Sequence, residues 1–324
     1  MREGEDRIWA ISNRLPICSL RLVNCAGINP SGGIGTLGGR PRARPAVFDI
    51  VATMNHSLEA PQPEPAAGPT AGKSAVPAPI TAWWLGRTAY RDAWDLQHRL
   101  VAARYSGRIG DQLLLLEHDP VLTLGRHSDP SHVLATPAEL TARGIEVIET
   151  ERGGEVTYHG PGQLTAYVIV KLPDRKLLVR SLVRSLETAL AETCADFGVE
   201  AGPRDGFPGC WCDGGSRKIG AVGLRIERGV SYHGIALNVT VRLTDFELLD
   251  ACGMPGVEST SIAREHGKPA EPTTDSVARA GAAFAVALAD ELGAPLDGTL
   301  PPQADPAATR AELEALLAAT PVNI

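Results

Sequence analysis

Between residues 80 and 292, apolar runs of strand length alternate with stretches whose apolar residues recur at helical spacing, and this alternation admits few architectures. A strand over 80–86 leads into a helix capped at Thr88, in which Tyr90, Ala93, Trp94, Gln97, Leu100, Val101 and Tyr105 share one side. Strands follow at 112–117 and 121–124, joined at Asp119-Pro120. Thr136-Pro137-Ala138-Glu139 has the form of a capping box with proline at the first helical position, and Gly144 ends that short helix. A long strand at 163–172, a long helix at 177–197 stopped by Gly198, a run of strands over 209–241 and a helix at 273–292 complete one α/β domain.

The flanks read differently. Residues 1–79 carry a Gly-rich run, arginines alternating with Pro41 and Ala43, and six prolines after residue 60. Such a composition cannot bury enough apolar surface to offset the entropy of ordering, so a disordered extension is expected. Within it Gly33-Ile34-Gly35-Thr36-Leu37-Gly38 matches a dinucleotide-binding fingerprint in letters only, because Gly39-Arg40-Pro41 follows where a helix is required. Residues 293–324 read as a Pro- and Ala-rich C-terminal tail with a short amphipathic stretch near 311–317.

No apolar run reaches the roughly 20 residues of a membrane helix. The formal charge of −7 argues against non-specific nucleic-acid binding. Six cysteines without regular spacing, and acidic residues Glu3, Glu5 and Asp6 where a signal peptide would be basic, favour a reducing cytoplasmic setting. Cys210 and Cys212 lack the second Cys/His pair of a zinc site, and no metal or cofactor is expected.

The densest unusual segment is Arg152-Gly153-Gly154-Glu155-Val156-Thr157-Tyr158-His159-Gly160-Pro161-Gly162-Gln163. Glycine at this density lets backbone approach a ligand closely, while Arg152 and His159 can orient polar groups. A second segment, Arg217-Lys218-Ile219-Gly220-Ala221-Val222-Gly223, alternates like a strand but has glycines where bulky side chains normally pack. Tyr232-His233-Gly234 repeats Tyr158-His159-Gly160 on another strand, and glycines on neighbouring strands can clear a slot for a long, thin ligand. Lys218 lies on the glycine-marked strand and Cys252 in the turn Asp250-Ala251-Cys252-Gly253-Met254-Pro255-Gly256. A nearby ammonium would favour the thiolate of such a cysteine, although spacing alone does not bring the two together.

In order and separation these segments, with His233-Gly234-Ile235-Ala236-Leu237-Asn238-Val239 and Cys252-Gly253, resemble the lipoyl(octanoyl) transferases. The resemblance covers residues 80–292. It implies a mixed β-sheet flanked by helices, of the type shared with biotin and lipoate protein ligases, and an enzyme that moves octanoate without a cofactor. The donor it implies is octanoyl-acyl carrier protein, and the acceptors are lipoyl domains of 2-oxoacid dehydrogenase E2 subunits and the glycine cleavage H protein. Catalysis would fall to Cys252 as acyl-thioester nucleophile and Lys218 as its acid/base partner. Substrate binding would fall to Arg152, Gly153, Gly154, Glu155, Val156, Thr157, Tyr158 and His159, to Ala221, Val222 and Gly223, and to Gly234, Ile235 and Ala236. One departure is Ala251, where proline usually precedes the nucleophile in the family. The alternatives are an ATP-dependent lipoate-protein ligase on the same fold and a non-catalytic carrier-binding relative. Because carrier proteins are acidic, docking calls for a local basic surface, and Arg175, Lys176, Arg180 and Arg184 at the start of the 177–197 helix are the candidates.

Overall fold

The computed structural model describes residues 77–250, 257–267 and 274–319. The expected disorder of residues 1–79 therefore lies outside the described residues, apart from its last three positions. In chain order the elements are β1 (Ile80–Thr88), α1 (Tyr90–Tyr105), β2 (Asp111–His118), β3 (Val121–Leu124), α2 (Pro137–Ala142), β4 (Glu146–Glu149), β5 (Thr157–His159), β6 (Gln163–Ile169) and α3 (Val179–Asp196). Then follow β7 (Gly202–Arg204), β8 (Phe207–Cys212), β9 (Arg217–Glu227), β10 (Val230–Asn238), β11 (Glu258–Ser259), α4 (Ile262–Glu265), α5 (Thr274–Glu291), β12 (Leu296–Asp297) and α6 (Pro306–Ala319).

Among the described residues the large sheet runs β12-β1-β2-β6-β10-β9-β8-β7, with β11 paired to β9. The pairs β12/β1, β1/β2 and β11/β9 are parallel and the rest antiparallel, so the sheet is mixed. A small sheet, β4-β3-β5, stands apart.

The run Leu113-Leu114-Leu115-Leu116 shows why the large sheet is covered on both sides. Successive side chains point to opposite faces. Leu113 and Leu115 join Leu182, Leu186, Leu190, Phe284 and Leu288 of α3 and α5, whereas Leu114 and Leu116 join Leu96, Leu100 and Leu313 of α1 and α6. Leu113, Leu114, Leu115 and Leu116 are each at most 1% exposed, and truncating one to alanine costs about 2–5 kcal/mol.

Two local expectations shift. Thr88 does not cap α1: it extends β1 opposite His118, and its hydroxyl donates to the Leu85 carbonyl while Ala89 takes the N-cap position. The strand expected over 163–172 stops at Ile169, because Pro173 begins a tight turn over Leu172–Arg175 that closes on Lys176 at φ +55°. Lys176 thus precedes the helix instead of sharing a face with Arg180 and Arg184. Arg175 is unavailable too, since its guanidinium is 2.5 Å from buried Asp111, which also binds Arg104 at 2.6 Å. The capping box at Thr136 forms as expected, with Glu139 reaching back to the Thr136 N–H at 2.8 Å.

The segment after residue 292, read from the sequence as a tail, packs on the domain. β12 pairs with β1, and α6 places Leu313 and Leu317 against α1 while Arg99 and Glu314 form a two-bond ion pair. Its amphipathic stretch has a partner face that only the folded sheet supplies. No helix among the described residues is long and apolar enough to cross a membrane.

Candidate active site

A slot opens where β9 and β10 of the large sheet meet β5 and the loop at 152–156, and its lining includes Lys218, Val222, Gly223, Gly234, Ile235 and His159. Arg152, Gly153, Gly154, Glu155, Val156, Thr157, Ala221 and Ala236 line it too, so the structure gathers three distant segments into one cavity. Register explains the gathering. Gly234 pairs with Gly223 on one side and with Tyr167 on the other, and Ala236 pairs with Ala221, so the small residues of two strands lie abreast.

Part of the glycine density serves close approach of backbone to backbone. A Cβ on Gly223 would lie 2.9 Å from the Gly153 carbonyl oxygen, and one on Gly153 would lie 3.0 Å from that of Leu224. The loop is thereby seated on β9, with the Gly153 N–H donating to the Leu224 carbonyl at 3.0 Å. Arg152 is pinned by bonds from Nε and Nη2 to Thr123 on β3, which fixes a positive charge beside the slot.

Tyr158 is the exception among the expected lining residues. Along β5, Thr157 and His159 face the slot, and strand alternation turns Tyr158 to the opposite side. There it packs edge-on against Phe246 at 5.5 Å, beneath Gly160, where a Cβ would collide with its hydroxyl. Burial beside Asp245 pushes its phenol well up.

Sequence reading did not assign Tyr90, Thr165, Tyr167 and His233 to the slot, which they also line. The Tyr-His-Gly repeat had marked His233, and Thr165 and Tyr167 are the two hydroxyls in the otherwise mostly apolar run of β6. Together with His118 they form a buried polar floor. His118 Nδ1 lies 2.8 Å from the Thr88 carbonyl and must carry the proton there, so Nε2 accepts from the Tyr167 hydroxyl at 2.6 Å. His159 Nδ1 faces Gln163 Oε1 at 2.7 Å, and the Gln163 amide is oriented by donating to Tyr158 and Asn238. The Glu151 carboxylate accepts from Trp94 and His98 and lies 3.4 Å from His233 Nε2. Burial pushes this carboxyl up, but the nearby His233 and the bond from Trp94 outweigh it and hold the group well below its usual range.

Burial lowers His118 to about 4 and drives His159 well below its ordinary value. Both are neutral in the folded protein at pH 7. An unfolded histidine protonates near 6.5, so the unfolded chain takes up the proton first as pH falls, and stability is lost between about pH 6.5 and 4. His118 alone accounts for a loss on the order of 3 kcal/mol. Urea midpoints should fall clearly from pH 7 to pH 4.5, and midpoints that stay level would contradict the neutral assignment.

Lys218 is aimed by its neighbours. A register shift between Cys210 and Trp211 on β8 sets Lys218 opposite Trp211, and its ammonium lies 5.1 Å from the indole ring centre. Beside it, Gly209 has φ +135°, and a Cβ there would come within 2.9 Å of Lys218 Cε. The strand therefore keeps a gap for the lysine stem. Lys218 also lines an adjoining cavity with Asn238, Phe246 and Ser259.

Cys252 lies outside the described residues. The chain before it is held by the Asp250 N–H donating to the His132 carbonyl at 2.8 Å. On the far side, Ser259 is the register partner of Lys218, and the Thr260 N–H donates to the Lys218 carbonyl at 2.9 Å. Of the other thiols, Cys194, Cys210 and Cys212 are buried in the core beneath α3. The Cys194 thiol is pushed well up by its contact with Cys210, and burial pushes Cys212 up to about 12, so neither supplies a thiolate. Among the described residues no cluster of His, Cys, Asp and Glu is arranged to hold a metal ion.

Residues 89–282 match the family described as the lipoyl protein ligase A/B catalytic domain. An octanoyltransferase of Chloroflexus aggregans is 47% identical over 190 residues, covering 58% of this chain and 86% of that one. An octanoyltransferase of Acidobacterium capsulatum is 49% identical over 192 residues, covering 56% and 78%. Among solved structures, lipoate-protein ligase A bound with ATP superposes with a TM-score of 0.53 at 14% identity, covering 75% of this chain and 94% of that one, a likeness of fold.

Proposed function

Because the chain belongs to the lipoyl protein ligase A/B catalytic-domain family, we propose that it transfers an octanoyl group from acyl carrier protein to a lysine of lipoyl domains, through a thioester on Cys252. It is an acyltransferase of the octanoyltransferase type. The observation that carries the finer reading is the placement of Lys218: one strand bears it at a slot walled by Val156, Ala221, Val222, Ile235 and Ala236, and its register partner Ser259 stands seven residues beyond Cys252 in the chain.

The chemistry balances with these two groups. The Cys252 thiolate attacks the donor's thioester carbonyl, a new C–S bond forms, and the bond to pantetheine breaks. The Lys218 ammonium gives its proton to the departing pantetheine sulfur. The neutral Lys218 amine then takes a proton from the acceptor lysine as its nitrogen attacks the acyl-enzyme, and Cys252 leaves as thiolate. Thioester becomes thioester and then the more stable amide, so the sequence needs no ATP.

A lipoyl domain incubated with octanoyl carrier protein tests this reading. Octanoylation in the absence of Mg-ATP is expected, whereas modification that requires ATP and free octanoate would replace the reading by that of a ligase. Chain length gives a second test. At about 0.8 kcal/mol per buried methylene, a hexanoyl donor should show kcat/KM lower by roughly 15-fold. Equal use of both donors would mean that the acyl chain does not enter the slot.

A further inference from the structure

We propose that the groove between α3 and the β7–β8 hairpin docks the donor, an acidic carrier protein whose acyl thioester rides on a flexible arm. The proposal rests on the transfer reading above. The groove has a volume of about 620 Å³ and is lined by Arg180, Arg184 and Arg204, with Val183, Phe207 and Pro208 supplying its apolar surface.

Its charge is available to a partner. Arg180 and Arg184 are exposed and make no ion pair among the described residues. Arg204 is held in place by stacking on Phe207 at 4.5 Å and Trp211 at 4.9 Å, and by donating to the Gly215 carbonyl. Of the two carboxylates that also line the groove, Glu187 is engaged with the Gly209 N–H at 3.0 Å, and Asp205 remains. Leu178 and Val179, at the N-terminal end of α3, are 73% and 48% exposed, and Phe207 is 38% exposed. Arginines around exposed apolar side chains are the composition of a protein interface. On a chain of net charge −7, an acidic partner is repelled by most of the surface and drawn to such a patch.

Geometry favours the donor over the acceptor. Glu187, through Gly209, marks the end of the groove nearest Lys218. Arg180 lies seven residues earlier on α3, about 10 Å further away at the helical rise. A partner gripped at Arg180 is held about 10 Å along α3 from Glu187, a span that a pantetheine arm bridges more readily than a lysine side chain. An acceptor lysine has to be presented at the slot itself.

The test is the double variant Arg180→Glu/Arg184→Glu in the full chain, assayed with octanoyl carrier protein and with octanoyl-pantetheine. The KM for the carrier protein should rise about tenfold at low ionic strength and approach the parent value at high salt, where charges are screened. Use of octanoyl-pantetheine should stay within about twofold, which also shows that the variant folds. An unchanged KM for the carrier protein would overturn the proposal, as would a rise confined to the KM for the lipoyl domain, which would give the groove to the acceptor. A parent protein that fails to octanoylate the lipoyl domain from either donor would remove the transfer reading itself, and the docking proposal with it.

Discussion

Replacing Cys252 with alanine is expected to lower octanoyl transfer by at least about 10³-fold while the far-ultraviolet circular dichroism and thermal midpoint stay at parent values. The size of the effect follows from the chemistry: without the sulfur there is no acyl-enzyme, and direct attack by the acceptor lysine loses the covalent route that splits one hard step into two. The alternative thiols are poor substitutes. Cys194, Cys210 and Cys212 sit in the apolar core between α3 and the sheet, and the thiols of Cys194 and Cys212 are held protonated. Detection of octanoate on one of these three in a still-active Cys252→Ala protein would move the nucleophile away from the position that the sequence motif assigns.

Substituting Lys218 with alanine is expected to lower transfer by about 10²- to 10⁴-fold, the range typical of a lost general acid–base group. Loss of the nearby ammonium also raises the Cys252 pKa, because a positive charge stabilises thiolate over thiol. The alkylation rate of Cys252 at pH 7 should therefore fall, and its pH profile should shift to higher pH. Lys218→Arg separates the two roles. Its permanent charge should restore the alkylation profile, but a guanidinium that does not give up its proton should leave transfer low. An alkylation profile identical in Lys218→Ala and the parent would show that the two residues are not paired. The surroundings of Lys218 make the choice of residue specific, since Gly209 leaves room for an unbranched stem and the indole of Trp211 faces its head at 5.1 Å.

Local pattern made much of the sheet legible in the sequence. Leu113 to Leu116 could be read as a strand buried on both faces, and Thr136 with Glu139 as a helix start, because the physics of each is contained within a few residues. The errors arose where the deciding partner is remote. Thr88 looked like a cap, but pairing with His118, 30 residues away, draws it into β1. The stretch around 311–317 looked like a tail because the face that buries Leu313 belongs to α1, more than 200 residues earlier. Arg175 looked like a surface charge, and its partner Asp111 sits 64 residues back. The slot follows the same division. Glycine density located the loop at 152–156 and the strand at 217–223, whereas Tyr90, Thr165, Tyr167 and His233 come from α1, β6 and β10, three elements far apart in the chain that only the folded domain brings together. Tyr158 was misplaced for a smaller reason, a single step of strand alternation.

The covalent intermediate is the claim on which the rest of the account depends, and mass spectrometry of the protein and its peptides reads it directly. The protein is mixed with octanoyl carrier protein in the absence of any lipoyl domain, quenched in acid and digested. The account predicts a mass increase of one octanoyl group, located on the peptide that contains Cys252, removed by hydroxylamine and discharged when a lipoyl domain is added. A protein that octanoylates the lipoyl domain while its own mass never changes, or that carries the group on a residue other than Cys252, would contradict it.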